Sequence, residues 1–306
     1  MNFANGRLLL SKARKRKYAV GAFNFQDMEI LQAIMNAANK ERSPVIIQTS
    51  EGAIEYAGLD YLYEMALAAL KNSKVPVVLH LDHGNSYEIA VKCVRKGYSS
   101  VMIDASRFNY EKNVRLTRKV ASYAHKHGVS VEGELGRLQG VEDLVNVKER
   151  DAILTNPETA RNFVEKTGID YLAVAIGTSH GPYKFKGKSR LDFKRLEKIS
   201  KMVKIPLVLH GASSVYSNDV NKARKYGARL ENAKGVSDND LRKAIKLGVA
   251  KINTDTDLRI AFITAARKSM QDRKLIDVRK VMGPVREAVE DIVRRKIKVF
   301  GSKEKA

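Results

Sequence analysis

The chain has 306 residues, of which 44% are apolar and one is a cysteine, and 56 Lys and Arg against 34 Asp and Glu give it a formal charge of +22. That length suits a single α/β barrel, while a lone cysteine, Cys93, excludes an internal disulfide and any multi-cysteine metal site, as expected in a reducing compartment such as the cytoplasm. No apolar run approaches the roughly 20 residues that a membrane span needs, and the dispersed basic residues form no recognised nucleic-acid motif, so the charge reads as a solvated surface that also favours phosphorylated metabolites.

Short β-rich runs alternate with longer stretches of helical periodicity from one end to the other. The runs cover residues 19–23, 45–48, 77–81, 100–103, 129–134, 171–176, 207–209 and 251–253. Several are nearly continuous apolar stretches, as expected of parallel strands buried on both faces. Helical patterns lie between them at 28–41, 61–70, 87–96, 113–127, 157–167 and 239–247, many followed by Gly or Asn where a helix should stop. Eight such units predict a (β/α)8 TIM barrel, one domain over residues 1–306 with a C-terminal helical extension.

In such a barrel the loops that leave the strand ends build the active site. In chain order those ends supply Asn24; Thr49, Ser50 and Glu51; Asp82 and His83; Asp104; Glu132 and Glu134; Thr178, Ser179 and His180; His210 and Gly211; and Asn253, Thr254 and Asp255. One polar strand end means little, because loops are polar anyway. Chemistry-capable groups at every end predict one site at the barrel mouth.

Three of the six histidines, His83, His180 and His210, fall at three strand ends. Each alone reads as a structural residue, but together they offer the three protein ligands of a catalytic zinc site. His125 and His127, late in a helix, read as surface residues, and His80, inside a strand, as a hydrogen-bonding partner behind a ligand. Asp82 adjoins a ligand without being needed for coordination, which suits a general acid/base or, more plainly, a helix cap. Gly181, the Gly211-Ala212-Ser213-Ser214 turn and Asp255-Thr256 expose backbone N–H groups where barrels hold phosphate.

The strings Val20-Gly21-Ala22-Phe23-Asn24, Gln48-Thr49-Ser50-Glu51-Gly52, His80-Leu81-Asp82-His83-Gly84, Glu134-Leu135-Gly136, Gly177-Thr178-Ser179-His180-Gly181, Leu209-His210-Gly211-Ala212-Ser213 and Asn253-Thr254-Asp255-Thr256-Asp257-Leu258-Arg259 resemble class II fructose-bisphosphate aldolases of the shorter type. The resemblance covers essentially the whole chain. It implies a lyase of glycolysis that cleaves fructose 1,6-bisphosphate reversibly, with Zn2+ on His83, His180 and His210 polarising the ketone and stabilising the enediolate. Asp82 would exchange the C4 hydroxyl proton, and Glu142, on a mobile loop, the proton at the dihydroxyacetone phosphate carbon. Asp104 and Glu134 match a second or alternative divalent metal position. Asn24 and Ser50 are further substrate-binding candidates. Gly181, Lys184, Gly211, Ser213, Asp255 and Thr256 would hold the dihydroxyacetone phosphate end, with Asn253 at the enediolate and a monovalent cation (Na+ or K+) near the phosphate. Arg279 would reach the other phosphate from a neighbouring subunit of a homodimer or homotetramer.

Gly133 and Ser237 depart from the family's usual alanine and proline, outside the expected chemistry. Strands six and seven end in histidine, not lysine, which disfavours an imine-forming aldolase. The sister activity, on tagatose 1,6-bisphosphate, usually goes with alanine at the position of Asp255, so the aspartate favours fructose. A barrel-scaffold binding protein without activity would have no chemical reason to keep Asp82, Glu142 and all three histidines.

Overall fold

A computed structural model describes residues 2–137, 140–142, 145–147, 153–179, 191–230 and 233–306, with backbone alone for 140–142 and 145–147. In chain order it contains α1 (Gly6–Lys15), β1 (Val20–Asn24), α2 (Met28–Lys40), β2 (Val45–Ser50), α3 (Glu51–Ala57), α4 (Leu59–Lys71), β3 (Val77–Gly84), α5 (Tyr87–Lys96), β4 (Ser100–Ile103), α6 (Tyr110–Lys126) and β5 (Ser130–Leu135). There follow β6 (Gly140–Glu142), β7 (Val145–Val147), α7 (Pro157–Thr167), β8 (Tyr171–Val174), α8 (Phe193–Met202), β9 (Leu207–Leu209), α9 (Ser217–Lys225), α10 (Asp238–Lys246), β10 (Val249–Thr254), α11 (Thr256–Ser269) and α12 (Val278–Phe300).

Short polar side chains set where several helices begin. Asp27, Ser86, Asn109 and Ser237 each accept a backbone N–H from the first turn of α2, α5, α6 and α10. Satisfying an otherwise orphaned donor is worth about 1 kcal/mol at each cap. Ser237 therefore has a structural use as the N-cap of α10. Gly97 and Gly168 close α5 and α7 in the left-handed conformation, as the sequence pattern implies.

Eight parallel strands close in the order β1-β2-β3-β4-β5-β8-β9-β10, and β10 pairs back onto β1. Alternation along each strand sorts the side chains. Val45 and Ile47, Val77, Leu79 and Leu81, and Leu172 and Val174 face outward into the main core beneath the helices. Ala22, Ile46, Val78, Ala173, Val208 and Ala250 form a separate apolar cluster with Leu9, Leu10 and Ala13 of α1. Helix α1 thus caps the end of the barrel where the strands begin. The inward positions further along, Gln48, His80, Asp82, Glu132, Glu134 and Lys251, are polar and buried. The interior is apolar at one end and densely polar at the other.

The expected (β/α)8 barrel is present, and α12, packed on α2, α11 and β1, is the expected C-terminal extension. Strands β2 and β3 run longer than the apolar runs suggest, because their last residues are polar yet still belong to the strand, and β10 gains Val249 and Ala250 at its start and Thr254 at its end. The segment expected as a mobile loop contains the antiparallel pair β6 and β7. Among the described residues, no helix is long and apolar enough to cross a membrane.

Candidate active site at the barrel mouth

The site begins with an irregularity in β3. Its pairing with β4 shifts register between Leu81 and Gly84, and His83 takes a φ of 48°. A regular strand would send Asp82 and His83 to opposite faces. The bulge lets both serve one site, and their ligand atoms lie within 4.8 Å of each other and of His210. Left-handed backbone at a non-glycine residue costs on the order of 1 kcal/mol or more, and such strain gathers at functional sites. Gly84 completes the bulge, since a Cβ there would stand 2.7 Å from the Met102 carbonyl oxygen.

Asp82 is fixed by three amides. Asn24 Nδ2 and Gln48 Nε2 donate to its Oδ2, each at 3.0 Å, and Asn253 Nδ2 donates to its Oδ1 at 2.9 Å. Gln48 also donates to Asn24 Oδ1 at 2.7 Å, so the set is locked as a network. Burial opposes ionisation of Asp82, but His83, Lys251 and His210 together hold the carboxyl below its usual range. A buried, ionised carboxylate of fixed orientation is what a proton acceptor requires. Asn253 Oδ1 is buried and has no hydrogen-bond partner among the described residues, leaving one acceptor for a bound molecule.

His83 shares a 3.0 Å hydrogen bond with Asp104, whose other oxygen accepts from the Ser106 backbone and hydroxyl. His210 lies between two glutamates, 2.7 Å from Glu132 Oε1 and 3.2 Å from Glu134 Oε2, and its ring centroid is 4.6 Å from that of His83. Burial favours the neutral imidazole, yet the bonds to Glu132 and Glu134 push His210 up to about 9. His83 is likewise raised, against its burial, by Asp82 and Asp104. The field at this spot favours positive charge.

His83, Asp104 and Glu134 form a second cluster whose ligand atoms lie within 4.8 Å of one another. Imidazole nitrogens and carboxylate oxygens so grouped fit a divalent metal of the zinc type. His180, Gly181 and Lys184 lie outside the described residues, as does the side chain of Glu142, whose backbone ends β6.

Behind the histidine and carboxylate cluster runs a charged chain that the sequence reading only touched. Lys251, fully buried in β10, lies 2.8 Å from Glu132 Oε2, and His80 lies 3.4 Å from the same oxygen. His80 in turn bonds Ser100 at 2.6 Å, and Ser100 bonds the Tyr171 hydroxyl. Burial and then Lys251 press His80 down to about 3, so it stays neutral, while Lys251 and His210 keep Glu132 ionised despite burial. His80 thus contacts Glu132, Ser100 and Lys251, and reaches the His210 side of the site through Glu132. The signal for Lys251 was a lysine on the inward side of an apolar strand, next to Glu132 in the closed barrel.

The remaining candidates divide. Gly211, at φ 58°, packs so tightly that a Cβ would meet the Ser179 carbonyl oxygen at 2.6 Å, and Ser213 and Asp255 are buried as well. Asp255 forms a 2.8 Å ion pair with Arg259 one turn along α11, where Thr256 is the first helical residue. Ser50 caps α3, and with Asn24, Tyr56 and Arg259 it lines a cleft of about 460 Å³ beside the mouth. Arg259 and Tyr56 were missed from sequence, although Arg259 lies at i+4 from Asp255. Thr49 points away to the Tyr98 hydroxyl. Arg279 is exposed at the start of α12 and pairs with Asp277. His125 bonds Asp170 and His127 the Tyr123 carbonyl, both away from the mouth.

The profile of the family described as fructose-bisphosphate aldolase class-II matches residues 4–305. A fructose-bisphosphate aldolase of Thermus caldophilus is 52% identical over 298 residues, covering 97% of each chain. One from Helicobacter pylori is 48% identical over 302 residues, covering 98% of each. Among solved structures, the YdjI aldolase of Escherichia coli K12 superposes with a TM-score of 0.81 at 34% identity, covering 99% of both chains. The profile and these relatives run through every strand of the barrel and every polar strand end described above, and the chain belongs to the class II fructose-bisphosphate aldolase family.

Proposed function

We propose that the chain, working as one catalytic domain, reversibly cleaves fructose 1,6-bisphosphate to dihydroxyacetone phosphate and glyceraldehyde 3-phosphate, a step of glycolysis and gluconeogenesis. The observation that carries this reading is Asp82, held by three amides beside the His83 and His210 pair. His83, His210 and, from the resemblance, His180 would hold Zn2+. When bound, the ion supplies Lewis-acid polarisation of the ketone.

Asp82 takes the proton from the C4 hydroxyl as the C3–C4 bond breaks and returns it in the reverse direction. Its amide cradle fixes its orientation, and the neighbouring cations keep it ionised. Asn253 accepts from a substrate hydroxyl through Oδ1. Glu142 moves the proton at the dihydroxyacetone phosphate carbon. Gly181, Lys184, Gly211, Ser213, Asp255 and Thr256 receive that product's phosphate, with a Na+ or K+ ion beside it. The cleft formed by Asn24, Ser50 and Arg259 takes the other phosphate end, completed by Arg279 of a second copy in a homodimer or homotetramer. Asp104 and Glu134 offer a second divalent position. The cell compartment in this reading is the cytoplasm.

Substrate identity is tested by kcat/KM on fructose and tagatose bisphosphates side by side, for wild type and Asp255→Ala. Wild type should prefer fructose bisphosphate by roughly tenfold or more, because an unpaired buried polar group costs about 1–3 kcal/mol. The variant should narrow that ratio, since it removes the carboxylate and releases Arg259 together. A wild type that prefers tagatose bisphosphate would contradict the assignment.

A further inference from the structure

The loop after β9 carries a second strained residue. Val215 has a φ of 46°, although it is β-branched, and it is buried. Such a conformation persists only where the surroundings impose it. Here one carboxylate does so. Asp257 accepts the Ser214 N–H on Oδ2 at 2.9 Å and the Val215 N–H on Oδ1 at 2.7 Å.

Asp257 is itself held from the far end of the chain. Lys296 of α12, fully buried, lies 2.7 Å from Asp257 Oδ2 and donates to the Ser214 hydroxyl at 2.8 Å. Burial works against the Asp257 charge, but Lys296 and the two N–H donors hold its carboxyl below the usual range. One buried pair therefore ties the C-terminal helix, the first turn of α11 and the loop after β9 at a single point.

Resting on the proposed aldolase reading, in which Gly211 and Ser213 grip phosphate, we infer that Asp257 and Lys296 are positioning residues for the phosphate end of the substrate. They touch no substrate. They fix the turn at Ser214-Val215, and through it the direction of the Gly211 and Ser213 N–H groups just before it. The neighbouring Ser213 carbonyl, which accepts from Val236 N at 3.1 Å, pins the same turn from α10's side. A backbone anion site depends on convergent N–H vectors, so a loosened turn weakens phosphate binding before it alters chemistry at the metal-binding cluster.

The test is steady-state kinetics of the zinc-loaded full chain, with inorganic phosphate as a competitive probe, on wild type, Lys296→Met and Ser214→Ala. Lys296→Met should raise KM for the bisphosphate and Ki for phosphate by about tenfold, with kcat within about threefold and zinc content unchanged, the pattern of lost binding common to ground and transition states. The doubly neutral variant Lys296→Met with Asp257→Asn serves if the single one does not fold. Ser214→Ala removes only the hydroxyl that Lys296 reaches, exposes no charge, and should move both constants in the same direction. Phosphate Ki unchanged in every variant that folds would overturn the inference and leave the pair a structural bond only. Absence of cleavage by zinc-loaded wild type would instead remove the aldolase reading itself.

Discussion

Asp82 is a buried carboxylate that its neighbours hold in one orientation. Three amide donors on β1, β2 and β10 would each be costly to leave unpaired, and the carboxylate satisfies all three. Removing it should leave the barrel folded, because the cradle lies at the polar mouth, apart from both apolar clusters. Asp82→Ala is expected to retain metal and lose turnover by about 10²-fold or more, the usual scale for a general acid/base. Bound metal by atomic emission and kcat by coupled assay would check this. Survival of activity within about threefold of wild type, on that scale, would place the proton transfer elsewhere. Asp82 was legible in the sequence because it stands beside a histidine at a strand end. Gln48 was not singled out, because a glutamine inside a β-rich run gives no sign of which way it faces until the register is known.

At the scale of elements, the strand runs were readable because both faces of a parallel strand are buried. What sequence could not supply was where the regular pattern breaks. The bulge at His83 and the left-handed turns at Gly211 and Val215 depend on neighbours distant in the chain. The segment from Gly140 was read as a lid, and its short β6–β7 pair was missed because three-residue strands carry too little periodicity to register. Gly211 gives the sharpest element-level expectation. A methyl there meets the Ser179 carbonyl oxygen at 2.6 Å, and the backbone at φ 58° disfavours any side chain. Gly211→Ala should push the two loops apart and reduce kcat/KM by roughly tenfold or more, from strain of about 1–3 kcal/mol. Wild-type kinetics in that variant would mean the loops tolerate separation.

Over the whole molecule, the C-terminal segment is fastened to the end of α2 by a cluster of ion pairs and backbone hydrogen bonds in which Glu41 gathers three cations. Glu41, buried, takes Arg294 at 2.8 Å and both Lys298 and Lys303 at 3.6 Å, while Ala306 N reaches the Arg42 carbonyl at 3.1 Å. This clasp holds the helix from which Lys296 reaches the β9 loop. Burial raises the Glu41 carboxyl, but the three cations outweigh it and set its folded value below the unfolded one. Its contribution is therefore complete above the ordinary glutamate range and is lost as pH falls through the lower, folded value. Glu41→Gln should cost about 1–2 kcal/mol at neutral pH, discounted because the cations are half exposed. In urea melts, the gap between wild type and variant should close on acidification. A gap that is constant from neutral to acid pH would show that the charge contributes nothing.

The central claim, that a divalent metal at the His83–His210 cluster serves carbon–carbon cleavage, has a direct test in stoichiometric zinc titration of chelator-stripped enzyme with fructose 1,6-bisphosphate as substrate. Cleavage should be abolished by stripping and return in proportion to added zinc, because no lysine ends β8 or β9 to offer another electron sink. Full activity in persistent excess chelator, or a borohydride-trapped imine between enzyme and substrate, would contradict it.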